Sequence, residues 1–172
     1  ITSSVSASQL SKIGYSGEDL PRLIVPSIYA SLKEDPNKKR DFSLEKNLHH
    51  YGYEVFQEKD RYLYDVSYLK PGNHEEVIDS NFKNLLEDCF KRENIIVNDH
   101  NVIINSSPIK NKENIKALTK LFLDDFNFKG LSIVNTSSLA LFATGRTSGL
   151  VVDCGEVNTM CVPIYEGFPL YH

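Results

Sequence analysis

The sequence predicts an α/β fold, a partly parallel mixed sheet flanked by helices, and three observations carry that prediction. Beyond residue 77, short apolar runs alternate with amphipathic segments, the order in which helices return a chain between parallel strands. Val102-Ile103-Ile104 is wholly apolar, as expected of a strand buried on both faces. The segment 145–172 instead has the pattern of a hairpin that starts a fresh sheet.

Taken in order, residues 1–30 read as strand, turn, strand, turn, strand: a first run ending near Val5, a second around Lys12-Ile13-Gly14, and a third at Leu23-Ile24-Val25. Gly17 can supply the positive φ of a tight connection, and Pro26 ends the third strand or confines it to an edge. Lys33 to Arg40 is a solvated turn, and the stretch to Pro71 carries expected strands at Tyr53–Phe56 and Arg61–Val66. Val77, Ile78, Phe82, Leu85, Leu86, Cys89 and Phe90 fall at helical spacing, with Asp79 and Ser80 as cap candidates. After the Val102–Ile104 strand, Ile115, Leu118, Leu121 and Phe122 mark a second amphipathic helix capped at Asn111. Leu131-Ser132-Ile133-Val134 is another buried strand, and Ser137 to Thr144 a short helix with Gly145 as its left-handed C-terminal cap. Leu150-Val151-Val152 and Thr159 to Ile164 form the hairpin, followed by a turn at Glu166-Gly167. No helix is expected behind the hairpin to cover its apolar residues.

A chain of 172 residues with 41% hydrophobic content can build a real core. With Lys and Arg at 19, Asp and Glu at 23 and a net charge of −4, it lacks the basic excess that neutralises a phosphate backbone, so direct nucleic-acid binding is not expected. Cys89, Cys154 and Cys161 are odd in number and form no disulfide framework, which points to a reducing compartment, cytoplasm or nucleus. No run approaches the roughly 20 apolar residues of a membrane span, so a soluble protein without a membrane partner is expected. A start at Ile1 suggests a piece of a longer chain.

Common catalytic signatures are absent. There is no Gly-x-x-x-x-Gly-Lys phosphate loop and no Gly-x-Ser-x-Gly elbow, and His74-Glu75-Glu76-Val77-Ile78 lacks the second histidine of a zinc helix. Cys154 and Cys161 have no neighbouring pair at zinc spacing and are expected to be core thiols. His49 and His50 are adjacent and would point to opposite faces of a strand. The informative segment is Gly145 to Gly155: an apolar strand running into Asp153-Cys154-Gly155 can aim backbone N–H groups at an anion while the carboxylate holds a hydrated Mg²⁺. The same pattern also suits a plain hairpin.

Ser8 to Ile28, with Lys12, Gly14, Gly17-Glu18-Asp19, Pro21-Arg22 and Pro26-Ser27-Ile28, together with Gly145-Arg146-Thr147 through Pro163-Ile164-Tyr165-Glu166-Gly167, resembles the N-terminal half of actin and the actin-related proteins. The resemblance implies a ribonuclease H-like, two-lobed fold in which two hairpin loops hold ATP and a divalent cation. By it, 1–30 and 71–144 are the core of the first lobe, 31–70 a small divergent inserted subdomain, and 145–172 the start of the second lobe. It also assigns Ser8 and Lys12 to the first phosphate loop, and Asp153, Gly155, Glu156 and Thr159 to the second. Asp153 would hold Mg²⁺ through water.

The same resemblance implies an eroded site. Val5 stands at the family's acidic position, Ala7 and Gln9 replace glycines that let backbone approach phosphate, and Val157 replaces another. Thr136 stands where actin has the glutamine that orients the attacking water, and Met160 where it has a nearby histidine. Positioning and electrostatics supply most phosphoryl-transfer catalysis, so weakened binding of Mg-ATP or Mg-ADP and little hydrolysis are expected, with no catalytic residue assigned. The stretch Ser31–Lys70 shows no version of the loop by which one actin subunit grips the next. The implied role is a structural or assembly subunit, partnered by other actin-like subunits or a multiprotein complex in cytoskeleton, transport or chromatin remodelling. The alternatives are a filament-forming cytoskeletal ATPase, or a protein-binding module with an empty site.

Overall fold

Helix α2, Ser80–Arg92, shows how the periodic pattern becomes a core. Phe82, Leu85, Leu86, Cys89 and Phe90 all turn inward and are buried, while Lys91 and Arg92 sit in the last turn, where cations complement the helix dipole. In the computed structural model, residues 2–5, 10–32, 50–57, 61–69, 80–106, 112–155 and 159–170 are described, with 2–5, 32, 61 and 106 as backbone alone. The expected caps Asp79 and Asn111, and Val77 and Ile78, lie outside the described residues.

Helix α2 covers a five-stranded mixed sheet in the order β3-β2-β1-β7-β8, built from β1 (Thr2–Val5), β2 (Leu10–Gly14), β3 (Leu23–Pro26), β7 (Asn101–Ser106) and β8 (Gly130–Asn135). The first three strands form an antiparallel meander, and β1-β7-β8 are parallel. The expected edge position of the Pro26 strand is observed, and Gly17 takes φ +96° in the β2–β3 turn. Side chains alternate across the sheet, so Ile13, Val25, Val102 and Ile104 enter the core while Lys12 and Ile24 face away from it. Ile103 is only half-buried, which corrects the expectation of a strand buried on both faces.

The second amphipathic segment forms as α3 (Lys112–Thr119) and then widens into a π-turn, Lys120–Asp125. The amide of Phe126 reaches back five residues to Leu121 at 2.9 Å. The wider turn puts Leu121 and Phe122 into the core but leaves Ile115 exposed, so the four expected residues do not share one buried face. Phe122, Phe126 and Phe128 then pack with Phe90 of α2, edge to face at 5.3 and 5.6 Å for the last two.

A second, three-stranded sheet runs β5-β4-β6, from β4 (Ile28–Leu32), β5 (His50–Tyr51) and β6 (Tyr64–Tyr68), all antiparallel. The expected strand at Tyr53–Phe56 is instead a single helical turn, α1 (Glu54–Gln57), in which Val55 alone is buried, against Ile28 and Ala30. The expected Arg61–Val66 strand opens with a 3-10 turn, Arg61–Leu63, before β6 begins. His50 lies on β5 against the ring of Tyr64 at 5.3 Å; His49 lies outside the described residues.

The C-terminal segment is a third sheet, β11-β10-β9, from β9 (Gly149–Cys154), β10 (Thr159–Tyr165) and β11 (Phe168–Pro169). The expectation that no helix backs it is wrong. Helix α4 (Thr136–Phe142) lies on one face, where Leu141 packs with Val162 and Ile164 and closes a small core with Val151 and Met160. Helix α4 ends in Gly145 at φ +74°, the left-handed cap its sequence predicts. Among the described residues, no helix is long and apolar enough to cross a membrane.

Candidate nucleotide site

The two loops that the resemblance assigns to phosphate are both hairpin connections. The first joins β1 to β2, which pair from Thr2↔Gly14 to Val5↔Ser11. Its connecting residues, Ser8 among them with Ala7 and Gln9, lie outside the described residues. Lys12 is described: it stands on β2 opposite Ser4 on one side and Ile24 on the other, exposed on the sheet face away from α2. Its neighbour Ser11 turns the other way and shares a 2.7 Å hydrogen bond with Ser27, which anchors β2 beneath the exposed amine.

The second loop joins β9 to β10. Its closing pair is Cys154↔Thr159, and the next pair inward is Asp153↔Met160. Asp153 therefore shares the α4-facing side of the sheet with Met160, which is half-buried there, while the Asp153 carboxylate is exposed. Gly155 is exposed at the mouth of the loop; Glu156 and Val157 lie outside the described residues. Thr159 is exposed on the opposite face from Asp153, so its hydroxyl and that carboxylate do not converge, and only the Thr159 backbone could serve the same ligand.

Helix α4 connects the two sheets. Asn135, the last residue of β8, caps it by accepting from the amides of Ser137 at 2.8 Å and Ser138 at 3.2 Å, which sets Thr136 as the first helical residue. The helix thus begins at the carboxyl end of a parallel strand, where open α/β sheets bind ligands.

Beside it lies a residue that the sequence did not single out. Asn105, near the carboxyl end of β7, buries its Oδ1 with no hydrogen-bond partner among the described residues. A buried carbonyl oxygen left unpaired costs free energy that a donating ligand or water would recover. By strand alternation Asn105 shares the sheet face of Lys12 rather than that of Val102 and Ile104. The only sequence signal for it was a polar residue directly after the apolar run Val102 to Ile104. Among the described residues, no group of three or more His, Cys, Asp or Glu side chains could ligate a metal directly.

A meander joined to parallel strands, a helix springing from their carboxyl ends, and a hairpin sheet seated on that helix together define a mixed α/β protein. Comparison with protein families agrees: the family described as Actin matches residues 7–172, and the chain belongs to the actin family. Members of that family typically bind ATP or ADP with Mg²⁺.

Proposed function

We propose that this chain forms the first lobe and the opening hairpin of a divergent actin-like protein. It acts as a structural or assembly subunit that holds Mg-ATP weakly and hydrolyses little of it. The observation that carries this reading is the Asp153↔Met160 pair: the cation-holding acid is retained, and directly across the ladder stands a thioether that can neither donate nor relay a proton. Thr136, at the head of α4, is the other substituted water-handling position.

Ser8, Lys12, Asp153, Gly155, Glu156 and Thr159 are the residues proposed to hold the nucleotide, Lys12 by charge, Gly155 and Thr159 through backbone. Bound Mg²⁺ would neutralise charge developing on the phosphates. The orphaned Asn105 Oδ1 fits such a ligand, because it would accept from a water in the cation's shell or from the nucleotide itself. Residues 31–70, which contribute β5, β6 and the end of β4, are the proposed inserted subdomain. Other actin-like subunits or a multiprotein complex are the proposed partners, in cytoplasm or nucleus.

The test is single-turnover hydrolysis of Mg-ATP by the intact protein beside equilibrium binding. Measurable binding with slow turnover supports the reading. Turnover at ordinary enzyme rates, about 1–10³ s⁻¹, contradicts it.

A further inference from the structure

We infer that Asn105 is a positioning residue for the cation: its side-chain oxygen accepts from a water in the Mg²⁺ shell and so sets how tightly Mg²⁺ is held beside a bound nucleotide. The inference rests on the reading that the intact protein holds Mg-ATP, and it chooses between the two donors that reading leaves open.

Ladder register places the residue. Ser4 pairs with Lys12, Ser3 with Ile104, and Asn105 with Val134. One step beyond the Ser3–Ile104 pair brings Ser4 level with Asn105, so Lys12, Ser4, Asn105 and Val134 form one row across the sheet. Ile13, Ile104 and Ile133, one row back, face the core beneath α2, and the row of Lys12 and Asn105 therefore faces the other way. Lys12 is exposed on that face, whereas the Asn105 Oδ1 is buried with no hydrogen-bond partner among the described residues. The two residues stand two strand spacings apart, about 9–10 Å at Cα.

The chemistry of the ligand selects the donor. An amide oxygen only accepts, and phosphate oxygens at neutral pH also only accept, so Oδ1 has no direct bond to make with phosphate. The donors of a nucleotide are its base amine and sugar hydroxyls, but Lys12, proposed to hold phosphate by charge, lies in the same row as Asn105. Mg²⁺ usually keeps several of its waters, and each is a donor suited to a buried, unpaired carbonyl oxygen. Side chains that bond a metal's ligands rather than the metal still change its affinity by about 10–100-fold. With the amide turned over, Nδ2 would instead donate to phosphate directly, and a negative charge at this position separates the two arrangements. An unpaired oxygen has a further consequence: its removal should cost the ligand-free protein nothing.

The experiment measures ATP affinity of the intact protein by calorimetry in excess Mg²⁺ and in EDTA, with ligand-free thermal unfolding beside it. The ratio of the two affinities reads what Mg²⁺ contributes. In Asn105→Leu that ratio should fall by about 10–100-fold, with affinity in EDTA unchanged and the ligand-free midpoint at or above that of wild type. In Asn105→Asp the ratio should rise, because a charged acceptor makes the stronger hydrogen bond. A wild type that binds no ATP in either buffer overturns the reading and the inference together. A ratio lowered in Asp153→Ala but unchanged in Asn105→Leu overturns the inference alone. So does a ratio that fails to rise in Asn105→Asp, or weaker binding by Asn105→Leu in EDTA, which is the result expected of an amide donating to phosphate. A lower ligand-free midpoint in Asn105→Leu also overturns it, since that marks a purely structural role.

Discussion

The hydroxyl of Ser138 donates to the carbonyl oxygen of Gly167 at 3.0 Å, tying the first turn of α4 to the tight turn between β10 and β11. The amide of Gly167 in turn donates to the carbonyl of Thr147 at 2.7 Å, and that of Glu166 to the hydroxyl of Ser148 at 2.9 Å. The β10–β11 turn is therefore held from two sides. Gly167 sits at φ +86°, and a Cβ there would lie 2.8 Å from Cζ of Phe142. Gly167→Ala should lower stability by about 1–3 kcal/mol through backbone strain, with the clash adding to it. Denaturant unfolding checks this, with Gly145→Ala as a control: it shares the positive φ, at +74°, but has open space around it.

The cap of α4 gives a second prediction. Helix α4 is short, and Asn135 alone accepts from two of its first amides. Asn135→Ala should cost about 0.5–2 kcal/mol in the same measurement, while Asn135→Asp should recover most of it.

The three thiols should divide two to one. Cys154 and Cys161 are exposed and should alkylate readily, whereas Cys89 should react only on unfolding. Burial pushes the Cys89 thiol from its ordinary 9.0 up to about 12. Because the folded value is raised, its contribution to stability is full below the unfolded value and is lost as pH rises from about 9 towards 12. Over that window the protein should lose roughly 1.4 kcal/mol per pH unit more than a Cys89→Ala variant, measured by urea unfolding at each pH.

Restoring the water-handling side chains tests the account of the site from the opposite direction. Met160→His with Thr136→Gln places a proton-handling group across the ladder from Asp153 and an amide at the head of α4. At saturating Mg-ATP the double variant of the intact protein should turn over about 10²-fold faster than wild type, the usual size of a positioned acid–base contribution. Unchanged turnover would mean that the eroded first loop, not these two positions, limits the reaction.

The sequence made much of this fold legible wherever burial follows a simple period. The α2 stripe from Phe82 to Phe90 and the β7 residues Val102 and Ile104 repeat at intervals that only one kind of element satisfies, and they form the core. The π-turn at Lys120–Asp125 was not legible, because an extra residue in one turn leaves no mark on local composition. The turn at Glu54–Gln57 was mistaken for a strand because Tyr53, Val55 and Phe56 suit either structure, and its helical form is set by packing Val55 on β4. The cover on the last sheet was missed for a related reason. Leu141 belongs to a helix that also serves the parallel sheet, and no spacing rule says on which sheet it rests.

The candidate site was legible as residue types and far less as geometry. Asp153 and Gly155 followed from a turn motif and the family resemblance, but the opposite facing of Asp153 and Thr159 depends on ladder register. The expected burial of Cys154 and Cys161 failed in the same way, since alternation places them on the face that α4 leaves open. For Asn105 the sequence showed only a polar residue after an apolar run, because an unpaired buried oxygen is a property of surroundings, not of sequence.

Asp153 is the acid proposed to keep Mg-ATP on the protein, and thermal unfolding with and without millimolar Mg-ATP tests that role most directly. Stabilisation of about 1 kcal/mol would raise the midpoint of a domain this size by roughly 2–4 °C, and such a shift is expected for the intact wild-type protein and not for Asp153→Ala. No shift in wild type, or an equal shift in Asp153→Ala, would contradict it.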